Sequence, residues 1–400
     1  MRVSTTTIYD QGIAAIQQQQ ANFLHTQQQV STGRRILTPA DDPVASARVL
    51  EVSQSLATAE QYSTNAGAAS DSLALQDGIL GSVTDLIQNA RVVALSAGNA
   101  ALNNSDRATL ATELRGRYQE LLGLANSTDG NGQYLFSGFQ GGTLPFTEST
   151  PGTVVYNGDQ GQRLIQISPS RQLALSDSGS DLFQRIRTGN GILTSAPASA
   201  NSGSGIVSQT TITNAADANL LQPITITFTS ATTFDVTGTG AGLPATGVAY
   251  TSGNAIAYNG WNINITGAPA SGDVFTVKPS PNQSLFKTLN DFIVLLETPV
   301  NGASGTANLT TGVNTVLQNF DNALNNVLKV RTSVGSRLNE AESTKSLSED
   351  LVLQYTQTIS GLQDLDYNKA VSELTQQKTA LEAAQKSYMT VTGLSLFNYL

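Results

Sequence analysis

Apolar residues recur at alternating steps of three and four toward both ends of the chain, and at steps of two through its middle. In the first stretch Tyr9, Ile13, Ile16, Gln20, Phe23, Gln27 and Val30 follow the helical rhythm, which keeps one stripe turned toward a partner helix. Two of these places hold glutamine, so the stripe is weak by itself. Partial or full disorder of this end is the expectation for a free chain. The helix should stop at Ser31-Thr32-Gly33, where Gly33 is free to take the left-handed cap conformation. Another should start at Asp41-Asp42-Pro43, with Asp42 capping the free amides and Pro43 in the first helical position.

Beyond that loop, Val49, Val52, Leu56 and Ala59, then Ile79, Val83, Leu86, Ala90 and Val93, continue the pattern over a helix of unusual length. Asn103-Asn104-Ser105-Asp106 breaks it and opens a helix carrying Leu110, Leu114, Leu121 and Ala125. From about residue 140 the character changes. Ile224, Ile226 and Phe228 alternate with threonines, and Trp261, Ile263 and Ile265 repeat the device after the turn signal Asn259-Gly260. Helical spacing returns at Leu285, Leu289, Phe292 and Leu296, halts at Pro299, and resumes through Phe320, Leu324, Val327, Val334 and Leu338. A last stripe runs through Tyr367, Ala370, Leu374, Gln377, Leu381, Ala384, Tyr388 and Val391. The fold class expected is mainly α with a β-rich insertion. Its divisions are terminal coiled-coil segments at 1–45 and 360–400, a helical rod at 46–140 and 283–359, and a β-rich outer domain at 141–282.

Composition narrows what such a chain can do. Charged residues are 13% and the net charge is −9, the wrong sign for a nucleic-acid backbone or an anionic membrane, so neither is an expected partner. No run of about 18 apolar residues is present, and the N-terminal stretch lacks the apolar core of a cleaved secretory signal. With no cysteine and one histidine, Cys/His zinc sites are excluded and a catalytic triad would have to use His25. No phosphate-cradling glycine loop or nucleophile elbow is present. Neither a cofactor nor a metal nor an enzymatic activity is expected.

Individual residues carry a plain reading and a functional one. His25 has no acidic neighbour in sequence and reads as a polar helix position. Arg34 and Arg35 precede Asp41 and Asp42 closely enough for a capped, solvated turn; alternatively these charges set register between subunits. Asp364 and Asp366 stand two apart, pointing away from each other on a helix, and suit a helix start better than a cation site. The stripes at the two chain ends have no obvious segment to cover them, so intersubunit packing is their reading.

At this point the residues resemble a family. Ser31-Thr32-Gly33-Arg34-Arg35-Ile36-Leu37-Thr38-Pro39-Ala40-Asp41-Asp42-Pro43 is similar to the signature loop of flagellins and hook-associated proteins of the bacterial flagellum. Proline after the paired aspartates resembles the hook–filament junction members. Asn126-Ser127-Thr128-Asp129-Gly130-Asn131-Gly132-Gln133-Tyr134-Leu135-Phe136-Ser137-Gly138, Val334-Gly335-Ser336-Arg337-Leu338-Asn339, Asp364-Leu365-Asp366-Tyr367 and Gly393-Leu394-Ser395-Leu396-Phe397 add to the likeness, which spans about 1–150 and 283–400. The middle is less diagnostic: Tyr156-Asn157-Gly158-Asp159 and Gly272-Asp273-Val274 are similar to β-segments of these proteins but common elsewhere.

The resemblance implies a flagellin-like long helical rod with paired N- and C-terminal helices and an outward β-domain. It implies a structural adaptor at the hook–filament junction, exported unfolded through the flagellar type III apparatus and escorted by a chaperone that binds near the C-terminus. The implied partners are copies of the same chain in a ring or helical lattice, another hook-associated protein on the hook side and flagellin on the filament side. The residues expected at assembly contacts are Tyr9, Ile13, Ile16, Phe23, Val30, Arg34, Arg35, Asp41, Asp42, Leu374, Leu381, Tyr388, Val391, Leu396 and Phe397. Two alternatives are a filament-forming flagellin, and a secreted adhesin whose β-region binds glycans through Trp261.

Overall fold

The structure is a computed structural model that describes residues 5–393. The chain falls into two compact units, residues 1–65 with 343–400 and residues 66–342. Its first helices are α1 (Thr5–Thr32), α2 (Pro43–Ala97) and α3 (Asn104–Ala125). The α3 start is a reciprocal capping box: Asn103 Oδ1 accepts from the Asp106 amide at 2.9 Å, and the Asp106 carboxylate accepts from the Asn103 amide at 3.0 Å.

Short hairpins follow in the larger unit. Strand β1 (Phe146–Thr150) pairs antiparallel with β2 (Thr153–Tyr156), and β3 (Leu164–Ser168) with β4 (Arg171–Ala174). After the single turn α4 (Gly179–Phe183) comes β5 (Ile186–Arg187). Next are β6 (Leu193–Pro197), β7 (Ile206–Val207), β8 (Thr211–Ile212), β9 (Ile224–Phe228), β10 (Thr233–Gly238) and β11 (Ala245–Ala249). The last strands are β12 (Ala255–Tyr258), β13 (Trp261–Thr266), β14 (Val274–Pro279) and β15 (Asn282–Gln283). One sheet has the order β11-β10-β9-β14-β6; another is β12-β13-β7, with β8 also paired to β13. Asn259 (φ 45°) and Gly260 (φ 74°) make the tight turn joining β12 to β13, where both residues must be left-handed. The helices α5 (Leu285–Glu297), α6 (Gly302–Gln363) and α7 (Tyr367–Gly393) complete the chain.

The β-rich stretch is divided between two hydrophobic cores. Ile224, Ile226, Phe228, Trp261, Ile263, Ile265, Phe275 and Val277 form a core of their own, each at most 1% exposed. Strands β1 to β5 instead send Phe146, Ile167, Leu173 and Ile186 into the helical core. There Phe146 meets Phe183 at 5.5 Å and Phe286 at 5.4 Å between ring centroids.

Two sequence motifs are explained by this core. Asn126 imitates a strand partner: Nδ2 donates to the Phe146 carbonyl and Oδ1 accepts from its amide, both at 2.9 Å. Gly138 (φ 72°) lies so close to Asp159 that a Cβ would sit 2.1 Å from its carboxylate oxygen. That carboxylate accepts from the amides of Phe139 and Gly161, which locks the two motif loops together. Arg337, mostly covered, forms an ion pair with Asp177 and donates to the Ala174 carbonyl at 2.9 Å. Gln76 donates to the same aspartate at 2.8 Å, so the covered charges are paired and hydrogen-bonded as burial requires.

Candidate assembly interface

The loop after α1 joins segments that are far apart in sequence. Gly33 takes φ 70°, and its carbonyl accepts from the Leu365 amide at 2.9 Å. A side chain there would also press on the Tyr367 hydroxyl, 2.9 Å from an ideal Cβ. The Arg35 amide donates to the Gln363 carbonyl at 2.7 Å, while its guanidinium reaches the Leu362 carbonyl at 2.8 Å and Asp42 at 3.2 Å. Ile36, 7% exposed, is the apolar plug of the turn.

The paired aspartates have separate tasks. Asp41 Oδ2 accepts from the amides of Leu37 (2.9 Å) and Thr38 (2.8 Å), and its Oδ1 stands 2.9 Å from His25 Nε2. Asp42 Oδ1 accepts from the Ala45 amide at 3.0 Å, which caps α2. Both carboxyls are held below the ordinary carboxylate range, chiefly by the Thr38 amide for Asp41 and the Ala45 amide for Asp42. Arg35, Asp41 and Asp42 are thus engaged within the chain. The exposed Arg34 guanidinium makes no hydrogen bond or ion pair among the described residues. The His25 contact was not foreseen from sequence, because the partner lies 16 residues on and only the reversal of the chain at Gly33 brings it back.

Helices α1 and α7 pack on each other. Tyr9 meets Tyr388 edge-on, with ring centroids 6.4 Å apart, and Gly12 lies under the Tyr388 ring, where a Cβ would come within 2.9 Å. On α1 the half-covered positions along the α7-facing stripe are Tyr9, Gly12, Ile16, Gln19, Phe23 and Val30, with Thr26 buried, and His25 and Gln29 beside it are half-covered too. This corrects the seam by one residue at alternate places. Ile13 is 43% exposed, and Gln20 and Gln27 face out, because Gly12 lets the tyrosine approach. On α7 Ala370 is buried and Leu374, Gln377, Leu381, Ala384 and Tyr388 are half-covered, while Val391 is 47% exposed. Among the described residues of both helices, only Thr26 and Ala370 are fully buried. Leu396 and Phe397 lie outside the described residues.

Other candidates are structural. Asp366 starts α7 by accepting from the amides of Asn368 (3.0 Å) and Lys369 (3.2 Å), and Asp364 accepts from the Ser360 hydroxyl. Among the described residues no group of three or more His, Asp or Glu side chains is arranged for a metal, and no helix is long and apolar enough to cross a membrane. Trp261 is 0% exposed, so it is not available to stack on a glycan and the adhesin reading loses its key residue.

Comparison with known proteins adds to this geometry. Residues 3–141 match the bacterial flagellin N-terminal helical region. Over 398 residues the chain is 30% identical to flagellar hook-associated protein 3 of Escherichia coli (strain K12) and 28% identical to that of Salmonella typhimurium, covering 99% of each chain. A crystal structure of flagellar hook-associated protein 3 from Legionella pneumophila superposes with TM-score 0.73 at 32% identity, covering 78% of this chain and 98% of that one. For Xanthomonas campestris FlgL the values are 0.71, 29%, 77% and 99%. Paired terminal helices, a β-rich middle and this N-terminal match define a flagellin-like structural protein of the bacterial flagellum. Within that class, the chain belongs to the flagellar hook-associated protein 3 family. It works in assembly with other flagellar components.

Proposed function

We propose that this chain is the adaptor at the hook–filament junction, and that it assembles through α1 and α7 into a closed ring or helical lattice of identical copies. The observation that carries this reading is the incomplete cover of the paired terminal helices. Tyr9, Ile16, Phe23, Leu374, Leu381 and Tyr388 are only half-covered by one chain, and Ile13 and Val391 remain exposed. Neighbouring copies would complete the burial, and binding that requires ordered ends would stabilise them. Arg34 is the charge in the loop left over for a neighbour. The partners are another hook-associated protein toward the hook and flagellin toward the filament, with an export chaperone holding the C-terminal segment beforehand. The role is structural, with no catalytic turnover.

Deletion of the gene followed by electron microscopy tests the reading. Hooks without filaments, with flagellin shed into the medium, are expected; filaments of normal length on the deleted strain would reject it. Circular dichroism of the free monomer against a chain lacking residues 1–45 and 360–400 tests the assembly part. Nearly equal total helical signal is expected if the ends order only on assembly, and loss of the whole terminal helical signal would count against that.

A further inference from the structure

Five asparagines of this chain stand directly before a glycine: Asn131, Asn157, Asn190, Asn259 and Asn301. Asparagine is thermolabile, and glycine after it has no side chain to keep the next amide nitrogen away from the asparagine side-chain carbon. The fold treats the five pairs differently. Asn190 is held throughout: Oδ1 accepts from the amides of Ile192 (3.0 Å) and Leu193 (2.7 Å), Nδ2 donates to the Thr210 carbonyl at 2.9 Å, and the Gly191 amide donates to the Thr188 carbonyl at 3.1 Å. Asn157 Nδ2 donates to Thr147 Oγ1 at 3.0 Å, and Gly158 is packed so tightly that a Cβ would come 2.6 Å from the Tyr156 hydroxyl. Asn259 is 8% exposed and donates to the Thr239 carbonyl at 2.8 Å. At the exposed Asn131 the following amide is engaged, Gly132 donating to the Asp129 carbonyl at 3.1 Å.

Asn301 differs from the other four. It lies between α5 and α6, and both it and Gly302 are exposed. Among the described residues its side chain makes no hydrogen bond and the Gly302 amide donates to no acceptor. Gly302 takes φ 64°, and beyond its own turn no atom lies within 4 Å of where a Cβ would stand, so the space for a small ring is open. The backbone on either side is anchored. The Gly305 amide donates to the Asn301 carbonyl at 3.2 Å, and the Val300 amide donates to Asn104 Oδ1 at 3.0 Å. Asn104 Oδ1 also accepts from Arg107 Nη2 at 2.6 Å. Arg107 is 5% exposed, and its guanidinium is met by the Leu102 carbonyl and Asn104, with no carboxylate partner among the described residues.

We infer that Asn301 is a site of spontaneous deamidation, where the folded chain acquires a further negative charge after it is made. The Gly302 amide nitrogen attacks Asn301 Cγ. A new N–Cγ bond replaces the Cγ–Nδ2 bond, and ammonia leaves with the proton that the amide gives up. Water then opens the five-membered succinimide. Hydrolysis at Cγ gives aspartate, and hydrolysis at the main-chain carbonyl gives isoaspartate, with the chain running on through Cγ. Either product is a carboxylate at the first turn of α6, where the helix dipole favours negative charge. It also brings a negative group to the neighbourhood of Arg107. Each conversion makes the net charge one more negative than −9. This inference is independent of the junction role.

The test uses the full chain, kept folded in mildly alkaline buffer and sampled over days, with peptide mapping by mass spectrometry at all five asparagines. The peptide holding Asn301 should gain one mass unit first, and electron-transfer fragmentation should show isoaspartate beside aspartate. A hydrogen bond that must break before reaction slows it roughly two- to ten-fold. Asn131 should therefore lag by about that factor, and Asn190, with several bonds to break, by far more. In urea all five should convert at similar rates, which assigns the difference to the fold. Asn301→Gln, whose longer side chain would have to close a six-membered ring, should abolish the mass gain in that peptide. Asn301→Asp, the product introduced directly, should melt no lower than the parent. Conversion of Asn301 in the folded chain no faster than that of Asn157 or Asn190, a rate order unchanged by urea, or a lower melting temperature for Asn301→Asp would overturn the inference.

Discussion

The stripe on α1 and the stripe on the second half of α2 keep the same rhythm but have opposite fates. On α2 the positions Ala66, Ala69, Leu73, Gln76, Leu80, Val83, Ile87, Ala90, Ala94 and Ala97 step by three and four, and each is 0% exposed. On α1 the equivalent run from Tyr9 to Val30 has only Thr26 buried. The difference lies in what faces the stripe. The α2 stripe shares a core with Leu114 and Leu121 of α3, Phe286 and Phe292 of α5, and Phe320 and Val327 of α6, while α1 has α7 as its packing partner. Periodicity therefore specifies that a helix has a side to cover, and the number of neighbours decides whether one molecule can cover it.

The largest expected effect breaks the covered side. Phe320→Ala removes a 0% exposed ring and should cost about 3–5 kcal/mol in urea unfolding of the monomer. Next is Gly33→Ala, which places a side chain at φ 70° against the Tyr367 hydroxyl; a loss of roughly 1–2 kcal/mol is expected, read as earlier melting of the terminal helices.

A smaller effect concerns acid. Asp41 and Asp42 have folded pKa values below 3.8. A depressed carboxylate contributes fully above its unfolded value and loses that contribution as pH falls through the folded one. Amide exchange at Leu37, Thr38 and Ala45 should accordingly accelerate on the acid side of pH 3.8, and Asp41→Asn should remove the step at Leu37 and Thr38. The smallest effect on the isolated chain is expected from Tyr388→Ala, within about 1 kcal/mol because the ring is half-covered, whereas incorporation into flagella should fail. A monomer loss as large as that of Phe320→Ala would erase the contrast between the two stripes.

Much of the architecture was legible where local chemistry decides it. Gly33, Asp42 with Pro43, and Asn259 with Gly260 each sit at a turn or cap that few other residues would fill. The α7 seam followed from spacing alone between Ala370 and Tyr388, while Tyr367 and Val391 at its two ends are exposed. The α1 seam was displaced at alternate places because the close approach of Tyr388 to Gly12 depends on a residue 376 positions away. Nor did alternation in the middle reveal that Phe146 and Ile167 belong to the helical core and Ile224 to another. Strand patterns identify an inner face without naming what lies opposite. The Gly138–Asp159 lock was visible only as two separate motifs, and His25 was assigned no partner because the turn at Gly33 had not yet been folded.

The backbone tie between Gly33 and Leu365, with Arg35 reaching Leu362 across 327 positions of chain, has a consequence for timing. A ribosome finishes α1 long before it makes the residues that fasten it. Throughout synthesis the first helix waits without its clasp, so in an unfinished polypeptide the turn at Gly33 has no distant segment to hold it.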